Sequence, residues 1–278
     1  MIRMKALVLF IAVAFAVSGC SAFFGFNAFA GLSTPPAPKA ADYEGSGGLA
    51  KLQQDLTSPA IINALKNDPA TTAAIEAYLL SQIGTLTTDD QKQAAILYGD
   101  LYLKTTAGEE LVNNVVTTLV NGIPPSTKIQ DLLGSILPPA ALADINVFTP
   151  MVEALLNACG PYLALGASIH DLNANGVIDP GEGVPPGTNV GDVAQKAAVA
   201  WTVKVIYDDI DAALPGGPGL PLSQVIGQMF LLSTNPASAD AAVQNIVPDP
   251  YTPRGGAFDT SLGYLGNLFS CAGIPMPT

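Results

Sequence analysis

The chain reads as an all-α protein, and three observations carry that expectation. From Leu49 onward, apolar residues recur at helical spacing rather than in alternation. Helix-start signals return roughly every 15–25 residues, and no segment sustains the period of two that a half-buried strand requires. Finally, 49% of the residues are apolar and only 12% are charged. That leaves little polar material to clothe separate thin helices, so an irregular multi-helix bundle is expected, its apolar excess filling a thick core, lining an apolar cavity or facing a partner.

The elements follow in order. Ser58-Pro59 and Asp68-Pro69 each place an N-cap residue before a Pro at the first helical position. Ile75, Leu79, Leu80 and Ile83 form an apolar stripe that Gly84 should end. Thr88 with Gln91 and Thr106 with Glu109 have capping-box spacing. Behind the first box run Ala94, Leu97, Tyr98, Leu101 and Tyr102; behind the second run Leu111, Val112, Val115, Val116 and Leu119, stopping at Gly122. Further helices are expected over 127–137, 140–159 with a break at Pro150, 190–214, 220–232, 237–247 and 258–271. The stretches 116–137 and 209–232 share a helix, Pro turn, helix outline, with too little identity to be a repeat.

The N-terminus carries a different signal. Arg3 and Lys5 precede the twelve-residue apolar run Ala6 to Val17, too short to span a bilayer, and Val17-Ser18-Gly19-Cys20 follows. This arrangement resembles the lipobox of bacterial lipoproteins. The resemblance implies removal of residues 1–19, acylation of Cys20 and a membrane anchor of two or more chains. Ser21 after the Cys favours the outer over the inner membrane of a bacterial envelope. Residues 20–48 then form a tether, with Phe23, Phe24, Phe26 and Phe29 near the anchor and a Pro-, Ala-, Ser- and Gly-rich stretch behind. The helical domain is expected to occupy 49–278.

Processing leaves 259 residues with nine basic and 23 acidic side chains, a net charge of −14. Such a chain repels polyanions, which excludes nucleic acid as a partner. With Cys20 acylated, Cys159 and Cys271 remain as a possible disulfide, or as two buried free thiols.

One motif carries chemistry. Asp171-Leu172-Asn173-Ala174-Asn175-Gly176-Val177-Ile178-Asp179-Pro180-Gly181-Glu182 puts acidic or amide side chains at positions 1, 3, 5, 9 and 12, with Gly at 6. A hard cation needs six to eight oxygens, so a short segment must present one at about every second residue. The pattern resembles the calcium loop of EF-hands. By that resemblance Asp171, Asn173 and Asn175 give side-chain oxygens, Val177 a carbonyl, Asp179 a water-mediated contact and Glu182 a bidentate carboxylate. Ile178 holds the position that in EF-hands faces a partner loop, yet no second loop occurs. Asp179-Pro180-Gly181-Glu182 opens a helical turn that Gly183-Val184-Pro185-Pro186-Gly187 should end. The string also resembles the calcium loop of repeated β-sandwich domains on bacterial surface adhesins, but helical spacing follows it here. With only three charged ligands the expected affinity is on the order of 10⁻⁴ M or weaker, as in extracellular modules.

Catalytic signatures are absent. The one histidine, His170, borders the loop, and GxSxG, HExxH, GxGxxG and GxxxxGK[ST] do not occur. Asp89 and Asp90 suit a helix start, while Asp208, Asp209 and Asp211 read as a solvated face. The sequence therefore points to a lipid-anchored, non-catalytic calcium-binding envelope protein whose ion stabilises the fold. A carrier or chaperone for an apolar ligand, or a carboxylate-based hydrolase of envelope polymers, are the alternatives. The partner is the membrane through Cys20, with an apolar ligand or protein partner left open.

Overall fold

In the computed structural model, residues 36–121 and 128–276 are described. Cys20, the Phe cluster and Gly122 lie outside them. The all-α expectation holds: eleven α-helices and no strand occur among the described residues. We number them α1 (Gly48–Asp55), α2 (Pro59–Lys66), α3 (Pro69–Ile83), α4 (Asp89–Thr105), α5 (Gly108–Asn121), α6 (Ile129–Ile136), α7 (Pro139–Ala143), α8 (Ile145–Ser168), α9 (Val190–Ala213), α10 (Leu222–Thr234) and α11 (Gly256–Cys271). None is long and apolar enough to cross a membrane.

Two cores share one helix. The smaller collects Tyr43, Leu52, Leu56, Leu65, Ile75, Leu79, Ala94, Leu97 and Leu101 from the first four helices and the turn before them. The larger surrounds α9 and takes Ile96 and Leu103 from the other face of α4. Thus α4 joins the N-terminal helices to the rest, with its most extensive packing against α8. In the middle of α9, Val193, Ala194 and every residue from Lys196 to Val203 are buried, so that stretch is enclosed on all sides. A helix buried all round needs no polar face, which explains the low charge content by a thick core.

Several local rules act as the sequence predicts. Asp68 Oδ1 caps α3 by accepting from the Thr71 N–H at 3.0 Å. The Thr88–Gln91 box forms in both directions, and Gly84 ends α3 at φ +53°. At α5, by contrast, the Thr106 hydroxyl accepts from Gly108 N–H and donates to Tyr102 O, while Glu109 reaches back to Lys104 at 3.8 Å. Thr106 closes α4 rather than boxing α5.

Three expectations need correction. The break in 140–159 falls at Asp144, not Pro150; α8 runs through Pro150 and Pro161 to Ser168. Each internal Pro deletes a backbone donor, but burial of Phe148, Met151, Leu155, Tyr162 and Leu165 against α4, α9 and α11 outweighs that cost. The stretch 237–247 is not a helix. Asp240 N–H goes to Gln228, Gln244 donates to Ala239 O, and the Ile246 carbonyl accepts from Ile129 N–H, so side chains and a distant helix take the groups a helix would use. Finally, the domain begins before residue 49. Ala37 and Ala40 pack on the smaller core, and Tyr43 is fully buried with its hydroxyl donating to Asp55 at 3.0 Å.

Candidate metal centre

The connection between α8 and α9 holds the twelve-residue motif, and its course follows from local chemistry. Gly176 adopts φ +87° and Ala174 φ +56°, two left-handed residues that curl the chain tightly. The Asp171 carboxylate accepts from Asn175 N–H at 3.3 Å and Gly176 N–H at 2.6 Å. Asn173 Oδ1 accepts from Asn175 N–H, and Asn175 Oδ1 from Val177 N–H. From the far end, Glu182 Oε1 accepts from Leu172 and Asn173 N–H at 2.7 and 3.1 Å, and its Oε2 from Asp179 N–H at 2.9 Å. Asp179 Oδ2 receives the amide N–H of both Asn173 and Asn175. Positions 1, 3, 5, 9 and 12 are thereby joined in one hydrogen-bonded ring.

The donor chemistry of this ring fits a hard cation. Its side-chain acceptors are all carboxylate or amide oxygens, the hard donor type that calcium takes, with Glu182 Oε1 and Asp179 Oδ2 each accepting two N–H bonds within the ring. Among the described residues no Lys or Arg forms an ion pair with Asp171, Asp179 or Glu182, so three negative charges are left for a cation to balance. No group of three or more His, Cys, Asp or Glu side chains gathers into a metal cluster among these residues. The loop's set instead mixes carboxylates with the Asn173 and Asn175 amides and the Val177 carbonyl.

The loop is fastened to the body at its exit. Gly181 N–H donates to Cys271 O at 2.8 Å, and the Cys271 thiol donates to Glu182 O at 3.2 Å, which ties position 12 to the end of α11. The buried Lys92 of α4 donates to Gly183 O at 2.5 Å. Ile178, expected to face a partner loop, packs against the chain's own larger core. Residues 180–183 make a single turn and no helix, as the Gly and Pro content requires. Leu172 and Val177 remain 60% exposed at the rim. His170 is exposed at the mouth of the loop, Nδ1 3.0 Å from Ser168 O.

The Cys159–Cys271 bridge is not formed; both are free, buried thiols. Cys159 lies within α8 near Lys204 and Asp208, where burial pushes its thiol up to about 12. Cys271 is held at Glu182, and burial raises it too. The other acidic groups have structural partners. Asp208 pairs with Lys204, Asp209 holds Arg254 through two bonds, and Asp211 accepts from Gly219 and Leu220 N–H. Trp201 Nε1 donates to Pro250 O at 2.7 Å.

One buried polar group escaped the sequence reading. Lys196 of α9 lies between Asp100 of α4 at 2.8 Å and Asp192 at 2.6 Å, and the Tyr162 hydroxyl donates to the same Asp100 oxygen at 3.3 Å. Burial works against the ammonium, but the two carboxylates prevail and raise its pKa. Its signal in the sequence was the Asp192, Lys196 pair at i, i+4 in a run otherwise rich in Ala and Val. Compared with protein-family models, curated proteins and solved structures, the chain matches none.

Proposed function

We propose that this chain is a lipid-anchored, non-catalytic envelope protein in which one calcium ion at Asp171–Glu182 stabilises the junction of its helical groups. The observation that carries the reading is the ring of ligand-type side chains closed at Glu182, whose carbonyl is bonded to Cys271 of α11. An ion pulling positions 1 and 12 together fixes the exit of the loop, and with it α11 and α4. An apparent affinity near 10⁻⁴ M suits a compartment with calcium near millimolar, and the lipobox at Cys20 supplies the matching address.

The test couples both halves. The full precursor and its Cys20→Ala variant are expressed in a bacterial host with labelled palmitate, and detergent-extracted protein is melted with 10 mM calcium or with chelator. The reading expects label and membrane association only with Cys20, and a calcium-dependent rise in Tm in both proteins. Label without a calcium effect removes the metal half; a calcium effect without label removes the anchor.

A further inference from the structure

We propose that Asn175-Gly176, in the connection between α8 and α9, is a self-modifying site: the Gly176 backbone nitrogen attacks the Asn175 side-chain amide and converts it to a carboxyl group. The pair lies in the stretch 172–177, every residue of which is exposed. The inference does not depend on calcium.

Both reacting groups are held and polarised by their neighbours. The nucleophile, Gly176 N, directs its N–H at the Asp171 carboxylate at 2.6 Å, a base already in place to draw off that proton. The electrophile, Asn175 Cγ, carries an Oδ1 that accepts from Val177 N–H at 2.8 Å, a donor aimed where negative charge develops once the carbonyl is attacked. Asp179 Oδ2 accepts from the Asn175 amide nitrogen at 2.9 Å and fixes the plane of the group. Gly176 presents no side chain to the approach, and even an added Cβ would meet nothing within 4 Å. Asn173 lacks this opening, because Ala174 follows it.

The step balances with water as its sole co-reactant. Gly176 N bonds to Asn175 Cγ while the Cγ–Nδ2 bond breaks. The Gly176 proton, passed through Asp171, leaves with that nitrogen as ammonia, and a cyclic imide joins residues 175 and 176. Water, which reaches the exposed loop, opens the imide at one of its two carbonyls. One opening leaves an aspartyl residue at position 175; the other leaves an isoaspartyl residue, with an extra methylene in the backbone. Either product adds a fourth carboxylate to Asp171, Asp179 and Glu182. The chemistry of position 5 in the motif therefore changes with the age of the chain.

The test incubates the whole chain at neutral pH with chelator, either folded or unfolded in urea, and follows the peptide containing Asn175 by mass spectrometry for exchange of amide for acid. The unfolded chain supplies the rate that the Asn-Gly pair has without its neighbours. The proposal expects conversion about tenfold faster in the folded chain, below the roughly 10²–10⁴ of enzymic bases because the loop is open to solvent. Asp171→Asn, which keeps an oxygen acceptor but not the base, should remove that gain, and Asn175→Gln should abolish conversion. Each variant is melted beside the parent, so its rate is read in a folded chain. Conversion that is equal or slower in the folded chain, or that is indifferent to Asp171→Asn, overturns the proposal.

Discussion

Gly166→Ala is the sharpest test of how α11, and therefore the loop it fastens, is seated. A Cβ built on Gly166 of α8 falls 2.2 Å from the Tyr264 carbonyl oxygen, 2.8 Å from its carbon and 3.3 Å from Leu268 Cγ. The first obstruction is backbone of α11, which cannot rotate away, and Asn267 Nδ2 holds Gly166 O at 3.1 Å. Relief requires the two helices to separate by about 1 Å in a close-packed interface. Overpacking of this kind costs about 3 kcal/mol at the upper end of its usual range, and Ala returns about 1 kcal/mol through helix propensity. The expected loss is about 2 kcal/mol, or about 4–8 °C in Tm for a domain of this size. Urea unfolding followed by far-UV circular dichroism measures it. Gly263→Ala, on α11 with nothing within 4 Å of its Cβ, is the control and should be neutral or gain up to about 1 kcal/mol. If Gly166→Ala proves as stable as Gly263→Ala, the close approach of α8 and α11 is wrong.

Other consequences are open to direct measurement. Tyr43→Ala should cost about 3–5 kcal/mol in chemical denaturation, because a fully buried aromatic ring and its bond to Asp55 are lost; a neutral outcome returns residues 37–48 to a tether. In a chain beginning at Pro36, Ellman's reagent should count no thiol in the folded protein and two after denaturation without reductant, whereas a disulfide gives none in either state. Alkaline pH should unfold the chain. Burial raises Cys159 and Tyr251 to about 12, so each contributes stability fully present below its unfolded pKa and lost as pH rises through the folded value. Circular dichroism should show the decline between about pH 9 and 12, made shallower by Tyr251→Phe; a flat profile there removes the burial argument.

Helix existence could be read from the sequence because caps and apolar spacing are local properties, as Asp68, Thr88 and Gly84 illustrate. What could not be read came from distant contacts. Pro150 and Pro161 look like breaks until α4, α9 and α11 are seen to hold α8 together. The apolar spacing in 237–247 looks helical until Gln228 and Ile129 take its backbone groups. At the candidate site, residue types at the six ligand positions were plain from spacing, since one short loop supplies them all. The fastening of Glu182 to Cys271 and of Gly183 to Lys92 joins residues about 90 positions apart, beyond any local pattern. Asp100, Tyr162 and Lys196 were missed for the same reason.

Calorimetric titration of calcium into chelator-stripped protein, beside an Asp171→Ala, Glu182→Ala double variant, addresses the metal assignment most directly. One ion per chain with a Kd on the order of 10⁻⁴ M is expected, lost in the variant. At 10 mM calcium such binding adds about 2.7 kcal/mol of stability, about 5–11 °C in Tm. Absence of heat and of any Tm change at 10 mM calcium, or equal binding by the double variant, contradicts a calcium site at Asp171–Glu182.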